Sequence, residues 1–230
     1  MAGTAGDDKL TRERATLVVV LTAVAGCFDA LSFTSLGRVF TANMTGNLVL
    51  LGVAAGRGLG AETTRSGVAF AGFVAGLLAG FQLAHPAAWA ARRVRASVPL
   101  AFGLELLLVA AYFAVWLAAR AHPAGARLLG LICLSAAAMG IQSATATRLA
   151  VSGVSTTYVT GTLTALMGSI AVVGRLGAHA IPQAAALVAL IAGAAASILV
   201  YRVAPPAAPA VPLAILAVAV LAVARSTDWR

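Results

Sequence analysis

L-G-A-H-A-I-P-Q-A-A-A-L-V-A-L-I-A-G-A-A-A-S-I-L-V-Y, from Leu176 to Tyr201, runs without a charged residue between Arg175 and Arg202. A helix needs about 20 apolar residues to cross roughly 30 Å of hydrocarbon, and this stretch has the length. Five more uncharged windows resemble it: 39–56, 66–91, 128–147, 149–174 and 203–224. Two others, 15–37 and 96–119, are broken only by Asp29 and by Glu105. Charged residues make up 10% of the 230 residues, against about 25% in a soluble domain. No polar coat is left for a water-soluble core, so an aqueous globular fold is excluded. Lipid offers the backbone no hydrogen-bond partners, so the windows are expected to be helices.

The fold class expected is all-α: a polytopic helical membrane bundle forming a single integral membrane domain over 1–230. The spacing predicts helices at 15–36, 42–58, 66–91, 98–120, 126–148, 157–174, 182–202 and 209–225. Val24-Ala25-Gly26-Cys27 has the form of a lipoprotein cleavage box. The apolar run continues past it as a first span would, and that continuation is the reading adopted. Cys27 and Cys133 both fall in apolar windows, which points to packing rather than a disulfide.

The formal charge of +9 comes from basic residues placed singly or in small groups at span ends. That pattern fits headgroup anchoring and topology control, and lipids rather than nucleic acid are the expected partners. Fifteen arginines against the single Lys9, with heavy alanine use, point to a GC-rich bacterial genome.

An internal repeat relates 15–120 to 126–225, two four-helix halves. Thr41-Ala42-Asn43-Met44-Thr45-Gly46-Asn47-Leu48 recurs as Thr156-Thr157-Tyr158-Val159-Thr160-Gly161-Thr162-Leu163. Gly26 and Ala30 match Gly140 and Ala144, and Gly76 and Gly80 match Gly193 and Ser197. If all eight helices cross the membrane, the halves are parallel. If 42–58 and 157–174 are re-entrant, six full spans remain and the halves are inverted. With the amino terminus cytoplasmic, both arrangements put ten Lys and Arg inside and six outside. The positive-inside rule therefore supports the orientation without choosing between them.

The stretch Gly26 to Gly52, with its Gly-x-x-Asp-Ala and Asn-x-Thr-Gly-Asn patterns, resembles the YoaK-like bacterial membrane proteins. Gly153 to Thr162 resembles the same family, and the likeness covers essentially the whole chain. It implies a multispanning inner-membrane protein and names no substrate. The chain departs from the pattern at Ser143, where a carboxamide is expected after Gln142.

In a helix, Asn43, Gly46 and Asn47 share one face, and Thr41 and Thr45 another. Tyr158, Gly161 and Thr162 repeat the first face, and Thr156, Thr160 and Thr164 the second. Carboxamides inside a membrane are costly without partners, so these faces are expected to point inward. They serve either interhelical packing or a polar solute site between the repeats. The candidate solute-binding residues are Asp29, Asn43, Thr45, Gly46, Asn47, Gln142, Tyr158, Thr160, Gly161 and Thr162. Asp29 and Glu105 are candidate proton-coupling carboxylates. An Asp at a helix centre costs about 2.5–3.5 kcal/mol, so a neutral partner or protonation is expected; Arg38 or the Asn43 face is the partner expected for Asp29.

His85, His122 and His179 show no ligand spacing, and metalloprotease, hydrolase-elbow and phosphate-loop motifs are absent. The chain is therefore read as a non-enzyme, with no catalytic residues, metal or cofactor. Two functions stay open: a small-solute permease or exporter, and a non-transporting assembly, sensor or lipid-interacting scaffold.

Overall fold

The structure, a computed structural model, describes residues 4–84, 97–149, 159–173 and 180–225. Among these there is no strand. The helices are α1 (Thr4–Ser35), α2 (Met44–Gly56), α3 (Gly60–Ala84), α4 (Ser97–Ala118), α5 (Gly125–Leu149), α6 (Val159–Val173), α7 (Ala180–Val203) and α8 (Ala210–Arg225). Six stretches are long and apolar enough to cross a membrane: Leu10–Ser35, Gly60–Leu83, Val98–Ala118, Gly125–Thr147, Ala180–Val203 and Pro205–Arg225. The 13 residues of α2 and the 15 of α6 reach only about 20 and 22 Å at 1.5 Å per residue.

Two helices begin more than one turn earlier than the spacing predicts. α1 starts at Thr4 rather than at 15, and α3 at Gly60 rather than at 66. Both extra segments are polar but contain good helix formers, and α3 gains Glu62 in its first turn, where a negative charge suits the helix dipole. α1 is continuous through Cys27, whose thiol donates to the Gly193 carbonyl at 3.2 Å.

Helix packing is organised by glycines. A methyl group on Gly26 of α1 would land on the Leu190 carbonyl of α7, and one on Gly193 of α7 on the Ala23 carbonyl of α1. Gly76 of α3 stands likewise against the Ala137 carbonyl of α5, and Gly140 of α5 against the Phe73 carbonyl of α3. In both pairs each glycine faces the carbonyl three residues before its partner glycine. Helical carbonyls point toward the C-terminus while Cα–Cβ bonds lean toward the N-terminus, so this register belongs to parallel helices. α1 with α7 and α3 with α5 are the most extensive packings in the molecule.

α4 packs on α5 and α8, and α8 also covers α1. A column of rings fills the space between them. Phe28 meets Tyr112 edge-on at 5.3 Å, Tyr112 stacks on Trp116 at 6.2 Å, and Trp116 meets Tyr201 at 6.2 Å. The Trp116 indole donates to the Pro205 carbonyl at 3.0 Å, in the 3₁₀ turn Pro205–Ala207 that joins α7 to α8. α7 turns Ile181, Val188, Ile191, Leu199 and Val203 outward, an apolar face suited to lipid.

The route through α2 is fixed by one contact. A Cβ on Gly37, just after α1, would strike the Arg65 side chain in the first turns of α3. α1 therefore ends where α3 begins, and α2 leaves and rejoins the same end of the bundle. In a background lacking Cys27 and Cys133, Gly60→Cys should react with an impermeant thiol reagent from the same membrane face as Arg38→Cys, and from the face opposite Arg12→Cys. Labelling of Gly60→Cys and Arg12→Cys from one face would mean that α2 crosses. Gly26→Val should lower stability in detergent by about 1–3 kcal/mol, the usual cost of overpacking. Gly52→Ala, with open space around it, should leave thermal unfolding unchanged or slightly raised.

Candidate functional site

After α1 the chain reverses at Gly37 and Arg38, both with positive φ (84° and 63°), and runs back along the helix it has left. Thr41 reaches Ser32, hydroxyl to hydroxyl at 3.4 Å. The amides of Thr41 and Ala42 donate to Asp29 Oδ1 at 2.8 and 2.7 Å, and the Asn43 amide donates to Oδ2 at 3.1 Å. Asp29 lies six residues before the end of α1, about 9 Å back along it. Residues 36–43 thus form a non-helical leg inside the bundle, and α2 is the helical leg that returns.

The return is capped and clamped by the same motif. Asn43 is the N-cap of α2, its side-chain oxygen accepting from the Gly46 amide at 3.2 Å. Asn47, 1% exposed, takes the Phe40 amide on Oδ1 at 2.9 Å and donates from Nδ2 to the Phe40 carbonyl. Phe40 stacks on Phe33 at 5.1 Å. Its ring also stands 3.0 Å from where a Gly46 Cβ would be, so only glycine fits without displacing it. The motif satisfies the irregular backbone from Phe40 to Asn43, within which Thr41 and Ala42 are buried.

This arrangement corrects the expected face-sharing. Thr41 and Asn43 are not helical, because Asp29 holds their amides outside the helix; α2 begins at Met44. Asn43 and Thr45 are exposed rather than inward-facing, and Gly46 is half-buried. Asp29 pairs with the backbone at Asn43, whereas Arg38 lies over the Phe33 ring at 5.9 Å. In the second half, Tyr158 lies outside the described residues, as do His85 and His179. Thr160 and Gly161 are exposed and Thr162 is buried, so only one of these three faces inward. The Thr164 hydroxyl donates to the Thr160 carbonyl at 2.8 Å.

Among the described residues the two motifs are not gathered into one pocket. α2 packs chiefly on α3 and α6 on α7, with no extensive α2–α6 contact among the described residues. Nor, among the described residues, do three or more His, Cys, Asp or Glu side chains cluster as a metal site.

Two of the candidate residues lie elsewhere, in the core. Gln142 of α5 is 0% exposed and donates from Nε2 to the Leu21 carbonyl of α1 at 2.9 Å, while its Oε1 has no hydrogen-bond partner. Glu105 of α4 is also 0% exposed, with neither carboxyl oxygen partnered. It shares the buried face of α4 with Phe102, Val109, Tyr112 and Trp116, at the three- and four-residue spacing of one helix stripe. Sequence reasoning singled out Glu105 for its isolation and missed these aromatic neighbours, although the spacing was there to be read.

The family model described as "Protein of unknown function (DUF1275)" matches residues 17–222. The chain is 34% identical over 166 residues to the UPF0700 transmembrane protein YoaK of Bacillus subtilis (strain 168), covering 71% of this chain and 69% of that protein. No solved structure matches.

Asp29→Ala should leave the amides of residues 41–43 without an acceptor, costing about 1–3 kcal/mol or more at a buried site. Asp29→Asn, which keeps one acceptor oxygen, should cost less. Thermal unfolding in detergent ranks the two, and faster exchange confined to those amides locates the loss.

Proposed function

The chain belongs to the DUF1275 family, and within it we propose a small-solute permease of a bacterial inner membrane, built from two related halves and coupled to protons through Glu105. The observation that carries this reading is the exchange of partners between the halves. The first helix of residues 15–120 seats Gly26 on α7, the third helix of the other half; the first helix of 126–225 seats Gly140 on α3. The two contacts have the same reciprocal register. Val98-Pro99-Leu100-Ala101 near the start of α4 recurs as Val211-Pro212-Leu213-Ala214 near the start of α8. α3 begins where α1 ends and is parallel to α5, so α1 and α5 run in opposite directions. Inverted repeats of this kind bind solute at their interface and expose it alternately by rocking one part against the other.

The polar motif supports the architecture rather than the solute, since Asp29, Asn43 and Asn47 bind the chain's own backbone. Coupling is therefore placed at Glu105, the intramembrane acid whose oxygens are not engaged. The proposed partners are lipid and a small solute, without enzyme activity or cofactor, and the amino terminus is proposed to be cytoplasmic. A second reading, a non-transporting scaffold, draws support from the same self-contained motif.

Purified protein in liposomes separates the two. Under an imposed pH gradient, flux of at least one class in a panel of amino acids, sugars, organic cations and organic anions should exceed that of empty liposomes. Glu105→Gln should remove the gradient-dependent part, and Gly52→Ala should leave it intact. Flux equal to that of empty liposomes across the panel would remove the permease and leave the scaffold.

A further inference from the structure

Glu105 and Gln142 present complementary deficits. The carboxyl oxygens of Glu105 and the Oε1 of Gln142 are fully buried and lack a hydrogen-bond donor. An ionised carboxylate in such a place carries an uncompensated desolvation cost of several kcal/mol or more. Among the described residues no charge on the surrounding helices pairs with it. α5 carries charge only near its termini, at Arg127 and Arg148; α8 only at Arg225; α3 only at Glu62 and Arg65 in its opening turns. On α1 the charges from Asp7 to Arg14 all lie at least seven residues before Leu21, and Asp29 is bound to the amides of Thr41 to Asn43. The other titratable side chains on the inner faces are Tyr112 on α4 itself, Cys27 on α1 and Tyr201 on α7.

Two independent registers bring the groups to one depth. α4 and α5 are joined by a short connection and run antiparallel. Glu105 lies 13 residues before the end of α4 and Gln142 lies 17 after the start of α5, about 20 and 26 Å from the turn. Helical side chains lean toward their own N-terminus. In an antiparallel pair Glu105 and Gln142 therefore lean toward each other and close that one-turn gap. The second register comes from α1, which is parallel to α4: it opposes α3, α3 parallels α5, and α5 opposes α4. Phe28 meets Tyr112, so Leu21 and Glu105, each seven residues earlier, lie at matching depth. Leu21 is the residue whose carbonyl Gln142 binds.

We propose that Glu105 and Gln142 form a buried proton site, in which the protonated Glu105 carboxyl donates to Gln142 Oε1 while Gln142 Nε2 donates to the Leu21 carbonyl. The ligand is a proton, and the relay Glu105–Gln142–Leu21 ties α4, α5 and α1 together only while that proton is present. A neutral acid supplies the donor that Oε1 lacks. Loss of the proton would place two acceptors against each other and push α4 from α5. The site rests on the permease reading for its use, not for its existence, and its test does not pass through transport.

Infrared spectroscopy of the full chain in lipid near pH 7 reads it directly. Wild type should show a protonated carboxyl C=O band that Glu105→Gln removes and Asp29→Asn retains. Gln142→Met should keep the band but move it to higher frequency, where an unbonded acid absorbs. Glu105→Asp, one methylene shorter, should give the same upward shift without altering α5, which covers the case in which Gln142→Met does not fold. The proposal is overturned if no band depends on Glu105, or if the band is unmoved in both Gln142→Met and Glu105→Asp.

Discussion

Backbone amides inside a membrane have no water to turn to, and the four residues Phe40 to Asn43 ahead of α2 must meet that demand without helical hydrogen bonds. The chain meets it with two side chains. Asp29 accepts from three successive amides, and Asn47 closes both polar groups of Phe40. The remaining features of this end of the molecule follow. The leg can run back along α1 only because its polarity is absorbed there. α2 can then be short, and α3 can begin beside the end of α1. A chain with this composition but without Asp29 and Asn47 would need another way to turn within the apolar layer.

Close helix approach is the second organising principle, and it works without strong interactions. Hydrocarbon competes with side chains on equal terms, so association rests on van der Waals fit and interhelical hydrogen bonds. Gly26 with Gly193, and Gly140 with Gly76, bring backbones close enough for that fit. Cys27 adds a hydrogen bond at the first contact. Larger side chains are concentrated where α4 packs, in the Phe28–Tyr112–Trp116–Tyr201 column.

Much of this was legible from residue order alone, because charge and hydropathy act locally. Arginine spacing located all eight helical segments, since a charge in hydrocarbon is costly wherever it sits. The start of α2 was not legible. Whether Thr41 to Asn43 continue a helix is decided by a carboxylate 12 to 14 residues away, and periodicity carries no record of that. The polar starts of α1 and α3 were missed for a related reason: hydropathy marks where a helix is buried, not where it begins. The motif is legible in the sequence, but the direction its side chains face is not. Asn43 and Thr45 are tolerated at the surface because the amides, not the side chains, are the groups buried at depth. Glu105 stood out as the lone charge in its window, while its relation to Gln142 depends on how α1, α4 and α5 are stacked.

The sequence separations of these contacts also set an order of assembly during synthesis. Asp29 emerges only 12 to 14 residues ahead of the amides that bind it, which at about 5–20 residues per second is roughly one to three seconds. The hairpin of α1, the irregular leg and α2 can therefore close while the nascent chain is still at the insertion machinery. Cys27 and Gly193 are 166 residues apart, so the glycine face of α1 stays without its partner for roughly 8 to 33 seconds at the same rate. During that interval α1 presents a narrow, small-residue groove to whatever helix is nearest. Its correct closure then depends on α7 arriving before a neighbouring protein does.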